Sequence, residues 1–71
     1  MEISLDTKAN ALYIKFQKGK FAKNRKLDND TIIDLDEKGR ILGIEMLNAS
    51  KRISSKDLEN VKVRLPLQIS S

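Results

Sequence analysis

At the start of the chain apolar and polar positions alternate one by one. Ile3 and Leu5 flank Ser4, and Leu12, Ile14 and Phe16 interleave with Tyr13 and Lys15. A period of two marks half-buried strands. Closing a turn over Thr7, Lys8, Ala9 and Asn10 pairs Leu5 with Leu12 and Ile3 with Ile14, which keeps every large aliphatic on one face. The pattern therefore predicts a hairpin at the N-terminus.

A loop around Gly19 follows, then "FAKNRKL", a more highly charged strand candidate. "LDND" is turn chemistry, because Asp and Asn bond back to nearby backbone and tolerate left-handed conformations. "TIIDLD" and "RILGIEML" are rich in β-branched and aliphatic residues and are separated by a glycine-containing break, which predicts a central hairpin. Its register can be chosen from the pleat. A turn at Lys38 and Gly39, or over Glu37 to Arg40, sets Leu35 opposite Leu42 and Ile33 opposite Ile44. A three-residue loop with a bulge would instead set Asp34 opposite Leu42 and strand Ile44 opposite Ile32. Keeping carboxylates off the apolar face favours the first arrangement. Asp34, Asp36, Ile41, Gly43 and Glu45 then share the outer face, with Gly43 opposite Asp34. Glycine in mid-strand marks a bulge or the close approach of another group.

After Leu47 the period changes. Asn48 is a candidate helix cap, and Ser54 with Asp57 three residues on resembles a capping box, so one or two short helical turns are expected between residues 48 and 60. Val61, Val63, Leu65 and Leu67 alternate with Lys62, Arg64 and Pro66, predicting a last extended segment. Pro66 confines it to an edge strand or a swapped arm.

Seventy-one residues make one small domain, of a size that buries only about 60% of its unfolded surface. The chain has no cysteine and no histidine, which removes thiolate and imidazole chemistry and leaves carboxylates, lysines and hydroxyls. An enzyme is therefore not expected, nor is a cofactor. No apolar stretch approaches a membrane span and the N-terminus does not read as a signal peptide, so a cytoplasmic protein without membrane contact is expected.

"DLDEKGRILGIE", residues 34 to 45, shares Asp34, Asp36, Gly39, Ile41 and Glu45 with a calcium-binding loop. Lys38 puts a cation where that loop needs a ligand oxygen, and the flanks have the period of strands rather than helices. A β-hairpin with solvated acids on its outer face is the better reading, and no metal site is expected. Asp34 and Asp36 would lie roughly 7 Å apart on one strand face. Acid–base work also needs a concave site, which a chain this short has little wall to build.

The charges are segregated. Lys15, Lys18, Lys20, Lys23, Arg25 and Lys26 fall in one stretch that contains no acid, and Asp28, Asp30, Asp34, Asp36 and Glu37 follow it. The basic stretch, with Phe16 and Phe21, is a candidate contact for nucleic acid or for an acidic partner. The simpler reading is a solvated edge strand whose lysines discourage edge pairing, and that reading is favoured.

"DTKANALYIKF" followed by "IIDLDEKGRILGIEMLNAS" resembles the prokaryotic family known as domain of unknown function 2283, whose members look like "ADALYI" and then "DLDEDGRIVGIEILDAS". The resemblance rests on Asp6, Ala11, Leu12, Tyr13 and Ile14, then on Asp34, Asp36, Gly39, Gly43, Ile44, Glu45, Leu47, Ala49 and Ser50, and covers about residues 1 to 53. It implies a compact β-rich cytosolic protein with no established activity. Genes of the family are suspected to lie beside small toxin-like proteins of the ribonuclease class, which implies an antitoxin-like partner role. The basic stretch and Lys38 depart from the family's acidic look.

The expected fold is α+β: an antiparallel sheet of about five strands in a hairpin meander, with short helical turns near the C-terminus. Its core should comprise Ile3, Leu5, Leu12, Ile14, Phe16, Ile33, Leu35, Leu42, Ile44, Met46, Leu58, Val61 and Val63. Tyr13, Ile32, Ile41 and Gly43 form the candidate outer face for a homodimer or a small protein partner. The expected function is a non-enzymatic protein-interaction module of antitoxin type, with nucleic-acid binding through residues 15 to 26 as the alternative.

Overall fold

A computed structural model describes residues 1–66 of the chain. It contains β1 (Glu2–Asp6), β2 (Ala11–Lys15), β3 (Phe21–Asp28), β4 (Thr31–Asp36) and β5 (Ile41–Leu47), followed by α1 (Ala49–Arg52) and α2 (Ser55–Glu59). The strands form one antiparallel sheet in the order β1-β2-β5-β4-β3. This is the expected small α+β architecture, but its order is not that of a simple meander. The β4–β5 hairpin is inserted between β2 and β3, so β5, whose aliphatics suit a doubly flanked position, lies at the centre of the sheet.

The N-terminal hairpin has the predicted register, with Ile3 opposite Ile14 and Leu5 opposite Leu12. Its turn is built by Asp6, whose Oδ1 accepts the N–H groups of Lys8 and Ala9 at 3.0 Å each, and by Asn10 in the left-handed region at φ 53°. β2 then continues the same face onto β5, through Leu12 opposite Met46 and Ile14 opposite Ile44.

The central hairpin departs from the predicted register at its tip only. Gly39, at φ 80°, donates its N–H to the Asp36 carbonyl, and Asp36 N–H donates to the Arg40 carbonyl. That is a three-residue loop with a left-handed glycine, and it pairs Leu35 with Ile41 rather than with Leu42. Leu42 is then an extra residue, a β-bulge, and the register beyond it is the predicted one: Asp34 opposite Gly43 and Ile33 opposite Ile44. The bulge moves Ile41 off the outer face, where the alternation had put it, and onto the face of Ile33 and Leu35. Leu42 is buried by the β2–β3 loop, where Gly19 packs on its side chain and Phe16 N–H donates to its carbonyl.

β3 is an edge strand with bulges at Ala22 and Leu27. Cations and bulges on an edge oppose pairing with a further strand. Its turn into β4 is closed by Asp28 Oδ1, which accepts Asp30 N–H at 2.8 Å.

Two turns of the sheet hold α1 in place. Asn10 accepts from Ala49 N–H through its carbonyl and from Ser50 N–H through Oδ1, and its amide donates to Ser50 Oγ at 2.9 Å. On the other side the Asp30 carbonyl accepts Leu47 N–H and the Arg52 guanidinium, while Asp30 Oδ1 accepts the Asn48 amide. Asn48 therefore stands at the N-cap position with left-handed backbone, φ 54°, and its side chain serves Asp30 instead of capping. Ser54 does cap α2: its Oγ accepts Asp57 N–H and donates to Asp57 Oδ2 at 2.7 Å.

The predicted last strand does not join the sheet within the described residues; Leu67 lies outside them. Residues 61–66 carry no ladder bonds, and Val61, Val63 and Leu65 lie beside Met1 and Ile3. Val61 and Val63 are exposed rather than in the core, because no second layer closes over them.

Candidate functional site

The paired registers divide the strand residues between two faces. One carries Ile3, Leu5, Leu12, Ile14, Ile33, Leu35, Ile41, Ile44 and Met46. Apart from Leu42, which the bulge sets aside, the expected core residues of β1, β2, β4 and β5 are thus together, yet among the described residues only Leu12, Leu35, Leu42 and Ala49 are buried apolar side chains. Ile3 and Leu5 remain 42% exposed and Ile41 45%. A sheet stabilises a fold by burying such a face under another layer, and α1 and α2, with four and five residues, cannot span five strands. Beyond β1 the face continues into a groove of about 630 Å³ lined by Met1, Ile3, Val61, Val63 and Leu65. Toward β3 it ends in a smaller depression of about 290 Å³, where Lys23, Arg25 and Leu27 stand beside Ile33, Leu35 and Ile41.

The other face carries Tyr13, Lys15, Asn24, Lys26, Ile32, Asp34, Gly43 and Glu45. At its centre the Tyr13 ring, on β2, crosses Gly43 on β5, and its hydroxyl donates to Asp34 Oδ2 on β4 at 3.2 Å. A Cβ on residue 43 would collide with the Tyr13 hydroxyl and would sit 2.8 Å from Cζ and from the Ile14 carbonyl oxygen. The mid-strand glycine is therefore explained twice, by the bulge at Leu42 and by the aromatic ring that covers it. Burial raises the Tyr13 phenol above its ordinary pKa of 10.0, helped by the hydrogen bond to Asp34 and by the charges of Asp34 and Glu45.

Two carboxylates of the calcium-like stretch, Asp34 and Asp36, accept hydrogen bonds within the fold. Asp36 is buried and accepts the N–H groups of Lys38 and Arg40 at 2.9 and 2.8 Å, with the Arg40 Nε at 2.7 Å on its other oxygen. These donors hold it below the usual carboxylate range, the Arg40 backbone N–H most of all. Asp34 receives Tyr13, and Glu45 stands opposite Tyr13 across the β2–β5 ladder. Among the described residues no group of three acidic side chains is placed to hold a metal ion.

The six basic residues singled out above do not form one surface. Lys23 and Arg25 pair with Leu35 and Ile33 on the apolar face, Lys15 and Lys26 stand on the Tyr13 face, and Lys18 and Lys20 lie in the β2–β3 loop. Of the candidate partner face, Tyr13, Ile32 and Gly43 stay together, while Ile41 faces the other way with Leu35. The relation between Tyr13 and Asp34 is absent from sequence reasoning, although its signal was there in a glycine placed opposite an acid.

A five-stranded antiparallel sheet with the turn after β5 clamped at both ends defines a small α+β domain. The chain belongs to the family described as Protein of unknown function (DUF2283), whose profile matches residues 2–50. The match ends at Ser50, which Asn10 holds, so it spans the sheet and the clamp and leaves out α2 and the C-terminal segment. No curated protein and no solved structure gives a significant match. Among the described residues no helix is long and apolar enough to cross a membrane.

Proposed function

We propose that this chain is a non-enzymatic protein-interaction module acting in the cytoplasm. The observation that carries the reading is the apolar face spread over β1, β2, β5 and β4, which no described element covers at Ile3, Leu5 and Ile41. Apolar patches beyond a few hundred Å² are uncommon on monomers and mark contact surfaces. The carboxylates available for acid–base chemistry support the reading as well, since Asp36 and Asp34 are occupied by the hairpin turn and by Tyr13.

In its finer form the module is the antitoxin-like partner of a small toxin. That form draws on the family resemblance and on the absence of histidine and cysteine from the chain. Affinity capture of the chain from its native host tests it. A stoichiometric small ribonuclease-like protein is the expected companion, and recovery of no stoichiometric partner contradicts it. Nucleic-acid binding is the second reading, supported by Lys23 and Arg25 side by side along β3. Replacing Lys18, Lys20, Lys23, Arg25 and Lys26 by Gln should abolish any such affinity, and unchanged binding would remove that reading.

A further inference from the structure

We infer that the apolar face is the interface of a homodimer in which two copies stack their sheets face to face, each supplying the second layer that the other lacks. The inference rests on the interaction-module reading and names the occupant of the face.

The first argument is the incompleteness of the single chain. Among the described residues few apolar side chains are buried, and no large one is fully buried. The chain exposes 6187 Å², against roughly 4,500 Å² for a folded monomer of its 8.1 kDa mass. Its radius of gyration is 14.0 Å, where a compact domain of this length has about 11 Å. The extended segment 61–66 supplies part of that excess, and the uncovered sheet supplies another part. A chain so built depends on an occupant that is present whenever the chain is made. A second copy meets that condition without a separate gene product.

The second argument is area. Five strands about 4.8 Å apart and roughly 20 Å long present a face of about 480 Å² in projection. Two such faces give about 1,000 Å², the lower threshold of a biological interface, before the groove at Met1 and Val63 is added.

The third is chemistry. The charged residues registered on this face, Lys23, Arg25 and Asp28, all belong to the β3 edge, and the centre on β2, β5 and β4 is uncharged. Apolar centre and charged rim are the normal anatomy of an interface. A two-fold axis across the strands lays each β3 antiparallel over the other, with the Lys23 end of one above the Asp28 end of its mate. Each Lys23 then meets the Asp28 of its mate, while the two Arg25 side chains, registered midway, meet near the axis at the solvated rim, so the isologous arrangement of a closed dimer pairs the ends of β3 and leaves its middle cationic.

The absence of cysteine makes labelling a clean test. Ile3→Cys and Ile41→Cys report on the apolar face, and Ile32→Cys on the other. In the chain alone Ile3 and Ile41 are the more exposed positions, so a folded monomer modifies them faster than residue 32. The dimer inverts this order, with positions 3 and 41 slower by about tenfold because they react only on opening. Retention of the monomer order in a folded chain overturns the inference. A second variant, Ile3→Glu, should halve the mass with strand content retained, while Ile32→Glu should leave the dimer intact; an unchanged dimer for Ile3→Glu also overturns it. If the chain is a folded monomer whose residue 41 is protected only by a different protein, this inference fails and the interaction-module reading stands. If residue 41 is protected by neither, both fail.

Discussion

The ring of Tyr13 occupies the space that a side chain on residue 43 would need. This relationship ties three strands together, because Tyr13 belongs to β2, Gly43 to β5, and the hydroxyl ends on Asp34 of β4. Gly43→Ala should therefore destabilise the domain by about 1–3 kcal/mol, as overpacking does. Adding Tyr13→Ala should recover only part of that loss, since the Ile14 carbonyl oxygen, 2.8 Å from the new Cβ, remains in place. Urea unfolding of the two single variants and the double variant measures the coupling. A neutral Gly43→Ala would contradict the packing described.

Tyr13 is the only tyrosine and the chain has no tryptophan, so tyrosinate absorbance reads this one hydroxyl. Its midpoint should lie above 10.0, because burial disfavours the phenolate and Asp34 accepts its proton in a hydrogen bond. Asp34→Asn should lower the midpoint without restoring it fully, burial being the larger cause. With the folded pKa above the unfolded one, the stability held by Tyr13 is complete below pH 10 and is lost as pH rises through the folded value. A wild-type midpoint at or below 10.0 would contradict this environment.

Asp36 predicts the opposite end of the pH scale. Its folded pKa lies below the ordinary 3.8, chiefly through the Arg40 backbone N–H, so its contribution is present above pH 3.8 and is lost as pH falls through the folded value. Asp36→Asn should lower the thermal midpoint at neutral pH, and the two proteins should converge as pH falls through the folded value. Parallel midpoints across the whole range would show that Asp36 does not hold the hairpin turn through its charge.

The clamp on α1 separates two roles of one residue. Asn10 supplies a left-handed backbone and three hydrogen bonds to Ala49 and Ser50, two of them through its side chain. Asn10→Ala loses the side-chain bonds and strains the backbone, a cost of about 1–3 kcal/mol. Asn10→Gly loses the bonds but tolerates the φ, and should fall between Ala and wild type. Chemical denaturation distinguishes them; equal loss in both would assign the whole effect to hydrogen bonding.

The pleat alone specified the N-terminal hairpin and most of the β4–β5 pairing, because a slip of one residue would have turned Ile3, Leu5, Ile33 and Ile44 to the wrong face. The tip of the central hairpin was not legible for a local reason. Ile41 and Leu42 are adjacent aliphatics, so a three-residue loop followed by a compensating bulge satisfies the pattern as well as a longer loop does. The position of β5 between β2 and β4 was likewise hidden, since alternation within a strand says nothing of its neighbours. Alternation also identifies an apolar face without saying what covers it. The candidate core on β1 was therefore placed on the right face and is still 42% exposed at Ile3 and Leu5.

That uncovered face is the centre of the account, and the mass of the native chain in solution tests it most directly. Sedimentation equilibrium across a concentration series should give a folded species of twice 8.1 kDa that dissociates on dilution. A well-folded species of 8.1 kDa at the highest concentration, with Ile3 and Ile41 open to solvent, would contradict it.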